Sequence, residues 1–215
     1  MEPILSKLVD KIDPRHTALV VVDVQNDFCA DGGFFSEVGY DLSMIQPMVP
    51  RLDSLIATAR AEKVPVVFVR CIFDAIYSSG PWVEKRSRKR PDGTGLCLSE
   101  TWGAEFFMVS PEPGELVVTK HRFSAFVGTN LDLVLRSMGV KTLLVTGVAT
   151  NVCVESTARD GYQLDYYIVI PEDCTAGISL ELHNGTLENI RTYFGAVCSS
   201  EEILAAWKRS QEGTP

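Results

Sequence analysis

Three residues of the 215-residue sequence have side chains suited to nucleophilic catalysis: the carboxylate of Asp23, the ammonium of Lys120 and the thiol of Cys153. The thiolate is the nucleophilic form of cysteine, and a base that accepts the thiol proton generates it. A carboxylate can accept that proton and later return it to a leaving amine, and a neighbouring lysine favours the ionised carboxylate. Together the three types predict acyl transfer.

Each of these residues follows a short apolar or β-branched run of the kind that forms strands. The carboxyl ends of parallel strands meet at one edge of a sheet, where catalytic groups gather, so we expect Asp23, Lys120 and Cys153 to share one crevice. Structural roles remain open for each: a strand-end cap for Asp23, a solvated side chain for Lys120 and a small buried thiol for Cys153. The runs are Ala18–Val24, Pro65–Cys71, Leu116–Thr119, Thr142–Thr146, Tyr166–Ile170 and Ala196–Cys198.

The surroundings of Cys153 and Asp23 predict how their protons are held. Cys153 falls in the first turn of a predicted helix, and unpaired backbone N–H groups and the helix dipole lower the pKa of a thiol there. Asp23 follows five apolar residues, so burial should raise its pKa while a lysine lowers it again.

The strand runs alternate with helical patterns near residues 41–62, 129–138, 152–164, 180–193 and 200–208. Such alternation predicts an α/β fold with a parallel sheet and helices on both faces. The length favours one domain over residues 1–215, with an N-terminal arm or helix at 1–14 and a flexible tail at 209–215.

One long segment, residues 72–114, breaks the alternation and is rich in turn-forming residues. A short helix is predicted at Thr101–Phe107. The basic run 85–90 is open to three interpretations: a solvated surface, a contact with an anion, or a contact with a neighbouring subunit. Trp82, Trp102 and this run are candidates for a lid over the crevice.

Composition excludes several classes of protein. The net charge of −8 argues against nucleic acid or an anionic membrane as a partner. The sequence shows neither a signal peptide nor an apolar run of about 20 residues. We therefore expect a cytoplasmic protein whose six cysteines are free thiols.

Three segments, in this order, resemble the isochorismatase-like cysteine hydrolases, and the similarity spans about residues 15–200. The resemblance implies a three-layer Rossmann-like fold with a six-stranded parallel sheet of order 3-2-1-4-5-6. It also implies a homo-oligomer, often a dimer or tetramer. The segments are Ala18–Phe28, Lys120–Phe126 and Val145–Thr157.

The same resemblance implies a catalytic triad of Asp23, Lys120 and Cys153 that hydrolyses a C–N bond through a thioester. It further implies a cis peptide bond near Val148–Ala149 and an oxyanion hole made by the backbone N–H groups of Ala149 and Cys153. No organic cofactor is needed for such a reaction.

Differences between this sequence and other members of the family narrow the range of possible substrates. Nicotinamidases of this family carry an Asp-x-His metal motif after the second strand, whereas residues 69–77 contain no histidine. His16, His121 and His183 are scattered, so we expect no metal. True isochorismatases, which cleave a vinyl ether, lack the nucleophilic cysteine that is present here.

The stretches Cys29–Phe35 and Ala149–Tyr162 are similar to ureidoacrylate amidohydrolases and biuret hydrolases, which predicts a small ureide or amide as substrate. A nicotinamidase-like carboxamide hydrolase, a vinyl ether hydrolase and a non-catalytic homologue remain alternatives. Core packing is the competing role for the aromatic members of the predicted substrate pocket. That pocket has Phe28, Phe123 and Phe126 as walls and Asn26, Arg122 and Ser124 as polar contacts.

Overall fold

A parallel β-sheet lies at the centre of the structure, a computed structural model that describes residues 4–89 and 95–212. Six strands follow the order β3-β2-β1-β4-β5-β7, and a two-residue strand, β6, pairs with β4. The predicted order of six strands is confirmed, while β6 is too short to appear as a run in the sequence. The strands are β1 (Thr17–Val22), β2 (Val66–Cys71), β3 (Leu116–Lys120), β4 (Thr142–Val148), β5 (Tyr167–Pro171), β6 (Thr175–Ala176) and β7 (Gly195–Cys198).

Helices cover both faces of the sheet, as the alternation predicts. Helices α4 and α9 pack on one face, and α6, α7 and α8 pack on the other. The helices within the described residues are α1 (Leu8–Lys11), α2 (Asn26–Cys29), α3 (Phe34–Glu37), α4 (Val49–Ala61), α5 (Gly80–Ser87), α6 (Leu131–Ser137), α7 (Glu155–Gln163), α8 (Leu180–Tyr193) and α9 (Ser200–Glu212).

Strand β1 shows why the central runs are apolar at every position. Successive side chains of a strand point to opposite faces, so Val20 and Val22 enter the core beneath α6–α8 while Leu19 and Val21 enter the core beneath α4 and α9. Every residue of β1 is buried. Because β1 pairs with β2 on one side and with β4 on the other, its last residue lies in the middle of the carboxyl edge of the sheet.

Two helical predictions differ from the structure in informative ways. The segment 41–48 is not α-helical: Asp41 accepts the Ser43 N–H at 2.8 Å in a turn, and Gln46–Met48 is a single 3₁₀ turn. Segment 72–114 contains α5, which was not predicted because its first two residues, Gly80-Pro81, are typical of a turn. Proline is nevertheless well tolerated in the first turn of a helix.

The ends of the described chain pack against each other. Ile12 is buried, and the Trp207 indole of α9 donates to the Ile12 carbonyl at 2.6 Å. Residues 1–3 of the predicted arm, Arg90 of the basic run and residues 213–215 of the predicted tail lie outside the described residues. Within the described ranges no helix is long and apolar enough to cross a membrane. All six cysteines are buried and free of disulfide bonds.

Candidate active site

Asp23 is the first residue after β1 and has no exposed surface. Its φ of 52° lies in the left-handed region that aspartate, asparagine and glycine enter more readily than other residues. Its N–H still donates to the Val69 carbonyl of β2 at 2.9 Å. The chain therefore turns directly after this bond, and Asp23 stays at the carboxyl edge of the sheet.

Lys120 is the last residue of β3 and is equally buried. Its Nζ lies 2.7 Å from Asp23 Oδ2, 3.1 Å from the Arg122 carbonyl oxygen and 3.5 Å from Cys153 Sγ. An ammonium group has three N–H donors, so these three partners fix its position. Lys120, at the end of β3, thus contacts both the residue that follows β1 and the cysteine in the turn that follows β4.

Cys153 lies in a π-helical turn, Thr150–Val154, between β4 and α7. Its side chain is 6% exposed, and its carbonyl accepts the Thr157 hydroxyl at 2.7 Å. The peptide bond between Val148 and Ala149 is cis, as the family resemblance implies. The structure therefore brings the three predicted residues together at the crevice.

A glycine allows β4 to approach β1 closely at this edge. Gly147 has a φ of 99°, and a Cβ at this position would overlap the carbonyl oxygen of Val22. Only glycine satisfies both the backbone angle and the space. Gly147 is therefore required where β4 passes β1 and leads to the turn that carries Cys153.

Burial and charge set the protonation of the three groups. Burial raises the pKa of Asp23, and Lys120 partly offsets the rise, as expected. Burial alone would lower the pKa of Lys120, but attraction to Asp23 and Cys153 outweighs it, and the pKa is raised.

For Cys153 the expected direction is wrong. Burial raises the pKa of this thiol well above its usual range, although Lys120 acts in the opposite sense. Loss of water around the thiolate outweighs the favourable charges. The resting site accordingly holds a thiol beside an Asp23–Lys120 ion pair, and forming the thiolate requires a proton acceptor within the site.

A cavity of about 200 Å³ lies against Cys153, and its walls are mostly apolar and rich in aromatic rings. Trp82 of α5 packs between Phe73 and Phe123, with ring centroids 5.4 and 4.6 Å apart. The residues that line it are Phe28, Phe34, Phe35, Tyr40, Phe73, Trp82, Lys85, Lys89, Leu96, Phe123, Ala149, Asn151, Val152, Cys153 and Ile178.

Of the predicted aromatic walls, Phe28 and Phe123 line this cavity. Phe126 does not: it packs into the core beneath α6–α8, where its ring stacks on Tyr166 at a centroid distance of 5.9 Å. Predicting it as a wall was wrong because the chain turns after Phe123 and carries Phe126 away from the crevice.

The three predicted polar contacts also lie outside the cavity lining and bond to the protein instead. Asn26 donates through Nδ2 to the Trp102 carbonyl at 2.8 Å. Ser124 accepts the Phe126 N–H at 3.2 Å. The guanidinium of Arg122 donates to backbone carbonyls and lies over the Trp82 ring at 5.2 Å. In this structure Asn26, Ser124 and Arg122 therefore contact other parts of the protein, and their contact with substrate stays a prediction.

The residues that follow Asp23 hold the long segment 72–114 in place. The Gln25 amide donates to the carbonyls of Cys71 and Ala104, at 3.1 and 2.9 Å, and its Oε1 accepts the Cys71 N–H at 2.8 Å. Gln25 has no exposed surface. A single buried side chain thus ties the end of β2 and Ala104, within that segment, to the residues that follow β1.

Asp27 anchors two further parts of the cavity wall. Its Oδ1 accepts the Phe34 N–H at 3.1 Å, and its Oδ2 accepts the Cys97 N–H at 2.6 Å. Gly103 packs so closely on this carboxylate that a Cβ there would overlap it. Asp27 therefore positions α3 and the residue after Leu96 around the same cavity.

Sequence reasoning missed most of the lining. Phe34 and Phe35 lie within the stretch that is similar to ureide hydrolases, and Tyr40 follows it. The cluster of aromatic residues just after the Asp23 segment is the signal that could have identified them. Asn151 lies beside Cys153 in the sequence, and its buried Oδ1 lacks a hydrogen-bond partner among the described residues. Lys85 was considered only as part of the basic run.

The histidines have other partners. His183 Nδ1 is 2.8 Å from the Thr150 hydroxyl, and His121 Nδ1 is 2.8 Å from the Ile72 carbonyl oxygen. Across residues 4–89 and 95–212, no group of three or more histidine, cysteine, aspartate or glutamate side chains is placed to hold a metal ion.

Comparison with known proteins decides the family. The model described as "Isochorismatase domain" matches residues 17–202, most of the chain. The chain belongs to the isochorismatase family. Among curated family members, the ureidoacrylate amidohydrolase RutB of Pseudomonas syringae pv. syringae is 39% identical over 211 residues, covering 92% of this chain and 86% of the relative. The protein of the same name from Methylobacterium radiotolerans is 40% identical, covering 94% and 84%.

Solved structures of isochorismatase-family proteins share the fold. A cysteine hydrolase from Pseudomonas syringae pv. phaseolicola superposes with a TM-score of 0.83 at 26% identity and covers 97% of this chain and 99% of that one. N-carbamoylsarcosine amidase from Thermoplasma acidophilum superposes with a TM-score of 0.71 at 28% identity and covers 86% and 97%. Both chains match nearly end to end.

Proposed function

We propose that this family member is a cysteine amidohydrolase that cleaves a C–N bond of a small ureide or amide through a thioester on Cys153. The observation that supports it most is the convergence of Asp23, Lys120 and Cys153 on one point at the sheet edge, with 2.7 and 3.5 Å separating the ammonium from the carboxylate and the sulfur. Relatives named as ureidoacrylate amidohydrolases support the reaction class.

In the first half-reaction Asp23 accepts the thiol proton of Cys153, and the sulfur attacks the carbonyl carbon of the substrate. The oxygen takes up the negative charge, and the backbone N–H groups of Ala149 and Cys153 donate to it. The C–N bond then breaks, the leaving nitrogen takes the proton from Asp23, and a thioester remains on Cys153.

In the second half-reaction Asp23 removes a proton from water, which attacks the thioester carbonyl. Collapse of the second tetrahedral intermediate releases the acid product and the thiolate, and the thiolate regains the proton held by Asp23. Lys120 enters the reaction as a cation, because attraction to Asp23 raises its pKa in the resting site despite burial.

The cavity supports a small substrate. Its volume of about 200 Å³ lies below the range typical of drug-sized ligands. Hydrolysis of a ureide releases at least one ammonia and one CO₂ whichever of the two C–N bonds at its carbonyl breaks first, because the carbamate or carbamic acid that forms decomposes. Ammonia release is therefore an assay that presupposes nothing about the site of cleavage.

The test is a panel of ureidoacrylate, biuret, nicotinamide and simple carboxamides assayed for ammonia with the wild-type protein, Cys153→Ala and Cys198→Ala. Cys198 is another buried thiol, on β7, and serves as the matched control. We expect Cys153→Ala to lose about 10⁴-fold or more of the turnover and Cys198→Ala to keep it. Quenched wild-type reactions should carry the acyl mass on the Cys153 peptide.

Two results would overturn the proposal. Turnover of a ureide by Cys153→Ala at the wild-type rate contradicts the nucleophile, and the absence of ammonia from every amide and ureide contradicts the reaction class. Dialysis against EDTA should leave turnover unchanged, and a loss that added metal restores would contradict the metal-independent mechanism.

A further inference from the structure

Two lysines stand at the wall of the cavity that contains Cys153. Lys85 lies in α5, and Lys89 follows four residues later, just beyond the end of the helix at Ser87. Side chains four residues apart lie on the same side of a helical segment, and both of these line the cavity. Segment 72–114 therefore presents two ammonium groups to the space above the thiol.

Aromatic rings of the same cavity hold these ammonium groups. Lys85 Nζ lies 5.1 Å from the centre of the Phe123 ring, and Lys89 Nζ lies 5.1 Å from the centre of the Tyr40 ring. A cation within about 6 Å of a ring face is attracted to it. Both rings line the cavity, so these contacts direct the two charges toward its interior.

The charge on these two lysines is not neutralised within residues 4–89 and 95–212. Lys85 and Lys89 are the only charged residues in the described cavity lining, and in the described chain neither forms an ion pair with a carboxylate. Arg88, which lies between them in sequence, is paired instead: its guanidinium donates to both oxygens of Glu84, at 2.7 and 3.0 Å. The two lysines that line the cavity thus lack a carboxylate partner among the described side chains, whereas Arg88 has one.

We propose that Lys85 and Lys89 bind a carboxylate on the substrate, so that the site selects carboxylate-bearing ureides and amides over neutral ones. The inference rests on the proposed function, since it takes Cys153 as the group that the scissile carbonyl approaches. Aromatic walls accommodate the apolar middle of such a molecule, and two ammonium groups complement a carboxylate at its far end. The two lysines are specificity-determining residues in this arrangement.

A matched pair of substrates tests this: ureidoacrylate and its methyl ester, which share the ureide and differ in the negative charge and in one methyl group. Ammonia release gives kcat/KM for each. We expect the wild-type protein to prefer the acid, and Lys85→Gln with Lys89→Gln to reduce the acid-to-ester ratio about 10-fold, equivalent to about 1.4 kcal/mol. Arg88→Gln removes one positive charge from the same segment but outside the cavity lining, and should leave the ratio unchanged.

Two further measurements guard against a folding defect in the double variant. Lys85→Arg with Lys89→Arg keeps both charges and should restore most of the ratio. For the wild-type protein, raising the salt concentration should raise KM for the acid more than for the ester, because salt screens exposed charges.

A wild-type protein that hydrolyses acid and ester equally well overturns the inference and leaves the proposed function standing. A double variant that keeps the wild-type acid-to-ester ratio also overturns the inference, even if its oligomeric state has changed. Failure of the wild-type protein to hydrolyse either substrate, or any other ureide or amide, is instead the failure of the proposed function.

Discussion

Removal of the Lys120 charge is the most direct test of the buried ion pair. Asp23 and Lys120 are both fully buried, 2.7 Å apart. At an effective dielectric constant of about 20, their attraction at that distance is about 6 kcal/mol, and desolvation of the two ions cancels much of it. Lys120→Met keeps a long side chain but leaves a buried carboxylate without its cation, which should lower the free energy of unfolding by about 3–5 kcal/mol at about pH 8.

The loss should depend on pH in a defined direction. Without Lys120, the pKa of Asp23 in the folded protein rises further above its unfolded value, so the folded protein retains a proton that the unfolded chain has released. Stability then falls as pH rises between the two pKa values, by up to about 1.4 kcal/mol per pH unit. Urea denaturation followed by circular dichroism should therefore show a smaller loss at about pH 5 than at about pH 8.

A double variant completes the cycle. Asp23→Asn with Lys120→Met removes both charges, and its free energy of unfolding should return to the wild-type value or exceed it, although the protein should be inactive. Lys208→Met, an exposed lysine on α9, is the control and should change stability by less than about 0.5 kcal/mol. A double variant no more stable than Lys120→Met alone, or a loss independent of pH, would refute the reasoning.

Other predictions concern the scaffold. Gly103→Ala should lower both stability and kcat/KM, because its Cβ would overlap the Asp27 carboxylate, whereas Gly185→Ala, in the open interior of α8, should stabilise the protein by about 0.5–1 kcal/mol in thermal unfolding. Asp27→Ala leaves two N–H groups without their acceptor and should cost about 1–3 kcal/mol, with a raised KM for the ureide. His183, bonded to Thr150, has a pKa lowered by burial, so the unfolded chain binds its proton first. Wild-type stability should therefore fall as pH drops below about 6.5, the unfolded pKa, and His183→Gln should weaken that fall in chemical denaturation.

The elements that position the site were largely predictable from the sequence. A short run that is apolar at every position has few structural interpretations other than a buried strand. The predicted bounds of β1 and β4 are therefore close to the observed ones, and Asp23 and Cys153 were correctly placed after these strands. The pKa of Cys153 was not predictable, since it depends on how completely the folded chain excludes water. The N-terminus of a helix lowers the pKa of a thiol only where water still solvates part of the thiolate.

The cavity was harder to predict because its walls come from segments that lack regular periodicity. Helix α5 begins with Gly80-Pro81, which is typical of a turn, and only the fold shows that Trp82 and Lys85 face the thiol. Asn26 was assigned to substrate because of its type and position. A buried amide beside an active site serves equally well to hold a neighbouring loop, and three-dimensional placement decides between the two.

The contacts of Gln25, Asn26 and Asp27 also bear on how this site can change. Their described partners in segment 72–114 and at α3 are backbone N–H and carbonyl groups. Because these bonds involve backbone groups, they do not depend on the side chains of the partner residues. Residues that face the cavity can therefore be exchanged over evolution, or in design, while the backbone that bears them stays tied to the strand that ends in Asp23. The residues that perform the chemistry and the residues that select the substrate can thus change independently of each other.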